Sequence, residues 1–172
     1  MKIIKTKFKD LLVFKSKNFY DKRGHFREVS VEKLIKHKLI FTVVSKSKKN
    51  VLRGLHFQKK NPQGKYLSVL KGEIFDVALD CRPKSETFGK YFKIILSEKN
   101  STSVFIPPGF AHGFAGLKKE NIVLYSCTNY RDKKSESGII WNDPHLKIKW
   151  PIKKPILSAK DKINQSFKSH FN

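Results

Sequence analysis

The sequence predicts an all-β chain, a sandwich or barrel with one short helix and a C-terminal tail. Three observations carry this. Apolar, β-branched and aromatic runs recur about every eight to twelve residues, as in multi-stranded antiparallel domains. Turn-forming residues separate many of them: Asn61-Pro62-Gln63-Gly64, Lys71-Gly72, Arg82-Pro83-Lys84-Ser85 and Pro107-Pro108-Gly109. Proline presets φ and glycine frees it, which chain reversals require. Strand alternation is clearest from Glu73 to Asp80. There Ile74, Asp76, Ala78 and Asp80 share one face, and Phe75, Val77 and Leu79 the other.

In chain order, Leu11–Phe14 is the first apolar run. Ser30-Val31-Glu32-Lys33 opens with a capping-type serine, and Leu34, Ile35 and Leu39 follow at helical spacing, so a helix is expected there. Strands are expected over Phe41–Val44, Tyr66–Leu70, Ile74–Leu79, Tyr91–Leu96, Val104–Ile106 and Ile122–Tyr125. Between the first two of these, Val51 to Gln58 reads as a strand interrupted by Gly54. The tail after Trp150 is rich in proline and lysine and is expected to wrap the domain as loops and a short helix.

At 172 residues the chain suits one domain with a real core. Its two cysteines, Cys81 and Cys127, match no metal or redox spacing, and so few favour a reducing, cytoplasmic setting. Met1 to Asp10 carries charges every few residues and does not read as a secretory signal. No apolar run approaches the length of a membrane helix. The net charge of +23 raises nucleic-acid binding as a function. Its distribution argues against that reading. Of 37 basic residues only Arg23, Arg27, Arg53, Arg82 and Arg131 are arginine, and the lysines are scattered. A nucleic-acid site concentrates arginine for bidentate contacts. The charge suits a small polyanion such as a diphosphate.

Two segments carry candidate chemistry. In Val51-Leu52-Arg53-Gly54-Leu55-His56-Phe57-Gln58 a regular strand would point Arg53 and His56 to opposite faces. A bulge at Gly54 would let both reach one cavity. On this segment alone His56 is as readily a structural histidine. The second segment, Ile106-Pro107-Pro108-Gly109-Phe110-Ala111-His112-Gly113-Phe114, contains a Pro-x-Gly-x-x-His turn into a strand. It resembles the second motif of cupin barrels, where that histidine binds metal. The first cupin motif supplies His-x-His, and here it reads His56-Phe57-Gln58. The ligand set is incomplete, so the expectation is a cupin-like jelly-roll β-barrel with no metal and no cofactor. Histidine titrates near neutrality and suits proton abstraction beside a carbonyl.

Seven segments in order resemble the dTDP-4-dehydrorhamnose 3,5-epimerase family. They are Asp21 to Glu28, Val51 to Gln58, Phe75 to Arg82 with Ser85 to Gly89, Ile106 to Phe114, Leu124 to Tyr130, Trp141 to Pro144 with Ile148 to Pro151, and Leu157 to Asp161. The resemblance implies one epimerase domain over 1–172 that acts on a nucleotide-diphosphate 4-keto sugar. His56 would be the base, oriented by Asp161, and Tyr125 the proton donor on the opposite face. Lys65 would hold the enolate oxygen with His112 nearby. Arg53 would hold the diphosphate, with Ser45 and Ser47 beside it, and Tyr130 would sit against sugar or nucleotide. Arg23, Phe19, Phe26 and Glu28 would form a nucleotide-binding group reaching across a homodimer interface.

The chain departs from the family at one stretch. Where members carry Gln-x-Asn-x-Ser-x-Ser, this sequence has Phe41-Thr42-Val43-Val44-Ser45-Lys46-Ser47. A missing hydrogen bond to a charged ligand costs roughly 1.5–3 kcal/mol. A single-carbon epimerase, an epimerase of another nucleotide sugar, a metal cupin oxygenase and a basic nucleic-acid-binding barrel are the competing readings. No membrane partner is expected.

Overall fold

A computed structural model describes residues 1–171. The strands are β1 (Lys2–Lys5), β2 (Leu12–Lys15), β3 (Phe19–Asp21), β4 (Gly24–Phe26), β5 (Phe41–Lys48), β6 (Leu52–Gln58) and β7 (Lys65–Lys71). They continue as β8 (Glu73–Asp80), β9 (Tyr91–Ser97), β10 (Thr102–Ile106), β11 (Phe110–Gly116), β12 (Glu120–Cys127) and β13 (Glu136–Gly138). Two short helices, α1 (Ala159–Lys162) and α2 (Phe167–Phe171), lie in the tail.

One sheet runs β1-β2-β10-β7-β12-β5, and a second runs β13-β6-β11-β8-β9. The strands β3 and β4 form a separate hairpin. The two sheets make the expected cupin-like jelly roll. Leu67, Val69, Val104 and Val123 of the first sheet meet Ile74, Ala78, Phe110 and Phe114 of the second in the interior. Fully burying each such side chain is worth about 1.5–3 kcal/mol.

The alternation along β8 has two buried faces. Ile74 and Ala78 point into the barrel, while Val77 and Leu79 pack outward against Ile139, Leu146, Ile148 and Phe167. The tail is therefore a second layer over the smaller sheet. Asp143 fastens it by accepting from the backbone N–H groups of Phe167 at 2.6 Å and Leu146 at 2.9 Å. Trp150 packs edge-on against Phe75 and donates its indole N–H to the carbonyl of Trp141 at 2.8 Å.

The expected helix after Ser30 is a single 3₁₀ turn, Glu32–Leu34. Its N-cap is Val31, with no side-chain cap, so Ser30 does not serve. Lys36 takes φ +57° and stops propagation. What decides the segment is packing. Ile35 buries itself with Phe14, Tyr66 and Phe105 on the outer face of the larger sheet.

Candidate active site

The bulge in β6 assembles the site. His112 of β11 pairs with His56, and Phe114 pairs with Arg53, so Gly54 and Leu55 of β6 together face the single residue Gly113 of β11. Gly54 at this step has φ +119°, and a Cβ there would lie 2.5 Å from Gly113 Cα. Only glycine permits this approach. The extra residue turns Arg53 and His56 toward one cavity, as expected from sequence.

Two adjoining cavities of about 410 and 370 Å³ share His56, Lys65, Tyr125 and Ser158. The first continues to Arg53, His112, Phe114 and Asp161, and the second to Phe41, Val43, Cys127, Arg131, Glu136 and Lys160. His56 stands on the smaller sheet, whereas Lys65 (β7) and Tyr125 (β12) stand on the larger one. Base and acid candidates thus come from opposite walls.

His56 Nε2 lies 2.5 Å from Asp161 Oδ1. Ser158 caps α1 by accepting from the Asp161 N–H at 3.1 Å, and its hydroxyl donates to Asp161 Oδ2 at 2.9 Å. Burial pushes the Asp161 carboxyl up, but the hydrogen bonds and charge of His56 with Ser158 and Asn164 outweigh it and hold it below the usual value. With Nε2 engaged, Nδ1 is the ring nitrogen left for a substrate. Burial pushes the Lys65 ammonium down, opposed in part by Cys127, Glu136 and Asp76. Burial also raises the Tyr125 phenol, so it remains a protonated donor at neutral pH.

His112 forms a second dyad, Nε2 to Asp76 Oδ2 at 2.7 Å, and Asp76 Oδ1 is buried with no partner. The two inward aspartates of β8 therefore divide. Asp76 joins His112, and Asp80 is bound by Arg82, Ser85 and Thr87. Arg53 donates from Nε to Ser47 Oγ at 3.0 Å and from Nη2 to the Lys46 carbonyl at 3.2 Å. Ser47 thus aims Arg53, and Ser45 Oγ is buried without a partner. A wider groove of about 1670 Å³ at the barrel end, lined by seven lysines together with Glu73, Glu98 and Glu120, contains none of the acid–base groups.

Phe19, Arg23, Phe26 and Glu28 do not join this cavity. Phe19 and Phe26 pair on the β3–β4 hairpin and stand 54% and 67% exposed. Arg23 is bound to Asp21 at 2.6 Å. Tyr130 is exposed and stacks on Phe41.

Sequence reasoning missed Ser158, although its place three residues before Asp161 is a capping pattern. It also missed Glu136, which binds Arg131 at 2.9 Å and Lys160 at 3.5 Å beside the second cavity. No local pattern distinguishes that carboxylate. Among the described residues, no three His, Cys, Asp or Glu side chains are grouped as metal ligands.

The family model for dTDP-4-dehydrorhamnose 3,5-epimerase matches residues 5–169. The enzyme of that name from Salmonella typhimurium is 47% identical, over 94% of this chain and 92% of its own length. Its counterpart from Shigella flexneri is 42% identical, over 97% and 96%. The crystal structure of the epimerase from Elizabethkingia anophelis superposes with a TM-score of 0.92 at 40% identity, covering 100% of this chain and 99% of that one. The dTDP-6-deoxy-D-glucose-3,5-epimerase from Legionella pneumophila, in complex with dTDP-4-keto-L-rhamnose, also gives 0.92 at 40% identity, covering 97% and 93%.

Proposed function

The chain belongs to the dTDP-4-dehydrorhamnose 3,5-epimerase family, and on that premise we propose that it inverts C3 and C5 of dTDP-4-dehydro-6-deoxy-D-glucose to give dTDP-4-dehydro-L-rhamnose. It is an isomerase. The observation that supports the mechanism is that His56 and Tyr125 stand on opposite walls of the adjoining cavities, with Lys65 lining both.

The 4-keto group acidifies the protons on C3 and C5. His56 Nδ1 takes one of them, and Asp161 holds the resulting imidazolium. The electron pair moves onto the keto oxygen, where Lys65 meets the charge with His112 beside it. Tyr125 returns a proton to the other face of the carbon. The histidine then releases its proton, and the tyrosinate regains one from solvent. A ring flip brings the second carbon to the same groups for a second round. The ketone is already on the substrate, so this route needs no redox step.

Arg53, aimed by Ser47 and with Ser45 beside it, holds the diphosphate, and Tyr130 meets the nucleotide. Phe41 and Val43 line the cavity beside Tyr125, which favours single-carbon epimerisation as the second reading. Proton exchange in heavy water separates the two. His56→Ala should abolish exchange at both carbons, and substantial exchange in that variant would remove His56 as the base.

The working form on this reading is a homodimer in the cytoplasm, with the whole chain as one domain. The hairpin supports the dimer. Phe19, Tyr20 and Phe26 are exposed on it, and Arg23 and Glu28 lie away from their own cavity. A second copy would receive them. The buried free thiols of Cys81 and Cys127 fit a reducing compartment. Sedimentation would test the dimer, and a monomer with full activity would contradict it.

A further inference from the structure

The acid–base chemistry makes no use of the Phe41–Tyr130 pair. Phe41 opens β5 opposite Cys127 of β12 and lines the second cavity. Tyr130 follows β12 in a loop, where Gln58 Nε2 reaches its carbonyl at 3.4 Å. The two rings lie almost parallel, 17° apart, with centroids separated by 5.7 Å. Yet Tyr130 is 69% exposed. One face of its ring rests on Phe41 and the other is open to solvent. Burial alone does not account for such a ring, because most of its apolar surface remains wet.

Its surroundings suggest what would cover it. Arg131 and Lys160 stand at the same cavity, both bound to Glu136. An open aromatic face next to cations suits a ligand with a planar ring and an anionic tail. Further in, Val43 pairs with Tyr125 across the ladder, so an apolar wall runs from the aromatic pair to the proposed acid.

We infer that Phe41 is a positioning residue that holds Tyr130 as a stacking platform for the base of the nucleotide. The inference rests on the nucleotide-sugar reading of the site. A tyrosine in an exposed loop samples several rotamers, and a ligand that stacks on it must offset the cost of ordering it. Phe41 removes that cost before the ligand arrives. Phe41 therefore acts on affinity for the base, through Tyr130, and leaves the phosphates to the cationic side chains.

The test is calorimetric titration of dTDP, and separately of inorganic pyrophosphate, into the full-length protein. The variants are Phe41→Leu, which keeps apolar bulk, Phe41→Tyr, Tyr130→Ala, and the double variant Phe41→Leu/Tyr130→Ala. Removing the base stack in Tyr130→Ala should weaken dTDP about tenfold. Phe41→Leu should weaken it about two- to twelvefold, the range of one aromatic pair. Phe41→Tyr should restore wild-type affinity. The double variant should be no weaker than Tyr130→Ala alone, and pyrophosphate should bind all five proteins alike. Wild-type affinity for dTDP in Phe41→Leu, with weakened binding in Tyr130→Ala, would overturn the role of Phe41 and leave the nucleotide reading standing. Equal losses for dTDP and pyrophosphate in Phe41→Leu would mark a distorted cavity and overturn it too. Unchanged dTDP binding in Tyr130→Ala would remove the platform, and a wild-type protein that binds no dTDP would remove the premise.

Discussion

His56 and Asp161 lie 105 positions apart, and no spacing rule joins them. Their pairing came from family resemblance, and the structure places it at 2.5 Å. Alternation put Asp76 and Asp80 on one face of β8, but that Asp76 meets His112 and Asp80 meets Arg82 depends on which strand and turn lie beside each of them. Two predictions belong at this scale. Asp161→Asn should lower kcat about 100-fold or more, since the histidine loses the carboxylate that sets its tautomer and stabilises its cation. Steady-state kinetics with unchanged circular dichroism would check it. The second concerns pH. Lys65 must be an ammonium to hold the enolate, and burial lowers its pKa. The alkaline fall in kcat should therefore begin below the ordinary lysine value of about 10.4. Tyr125 is shifted the other way, so its ionisation would appear above the ordinary tyrosine value. Lys65→Arg keeps the cation at every accessible pH and should remove the lower limb in a pH–rate profile.

Elements were legible where one rule governed them. The run Glu73 to Asp80 became β8 with the expected faces, although the outward face is covered by the tail rather than by water. The stretch after Ser30 was misread because helical spacing says nothing of Lys36 at positive φ or of the pocket that holds Ile35. Gly54→Ala should cost roughly 1–3 kcal/mol for the backbone strain alone, with the clash against Gly113 added. Denaturant unfolding would measure it, and activity should fall with it because the bulge aims His56. Phe167→Ala should cost about 3–5 kcal/mol in the same assay, since Phe167 fills the layer between the tail and the smaller sheet. The turn after β8 adds an acid-labile contact. Burial raises the Asp80 carboxyl, but Arg82, Ser85 and Thr87 more than offset this and bring it to about 2. A carboxylate depressed on folding stabilises above its unfolded pKa. That contribution should fade as pH falls from the ordinary carboxylate range toward about 2, and Asp80→Asn should flatten this part of the stability–pH curve.

For the molecule as a whole, the charge of +23 was the most conspicuous feature of the sequence and the least informative about chemistry. Seven of its lysines gather in a groove at the barrel end that holds none of the acid–base groups. What defines the molecule is a jelly roll whose two sheets face each other across a cavity, with a base on one wall and an acid on the other. The most direct test is to incubate the protein with dTDP-4-keto-6-deoxyglucose in heavy water and follow the C3 and C5 protons by NMR. Deuterium at both carbons with inverted ring configuration is the predicted result. Exchange at one carbon only, or none from a folded protein, would contradict a 3,5-epimerase built on this site.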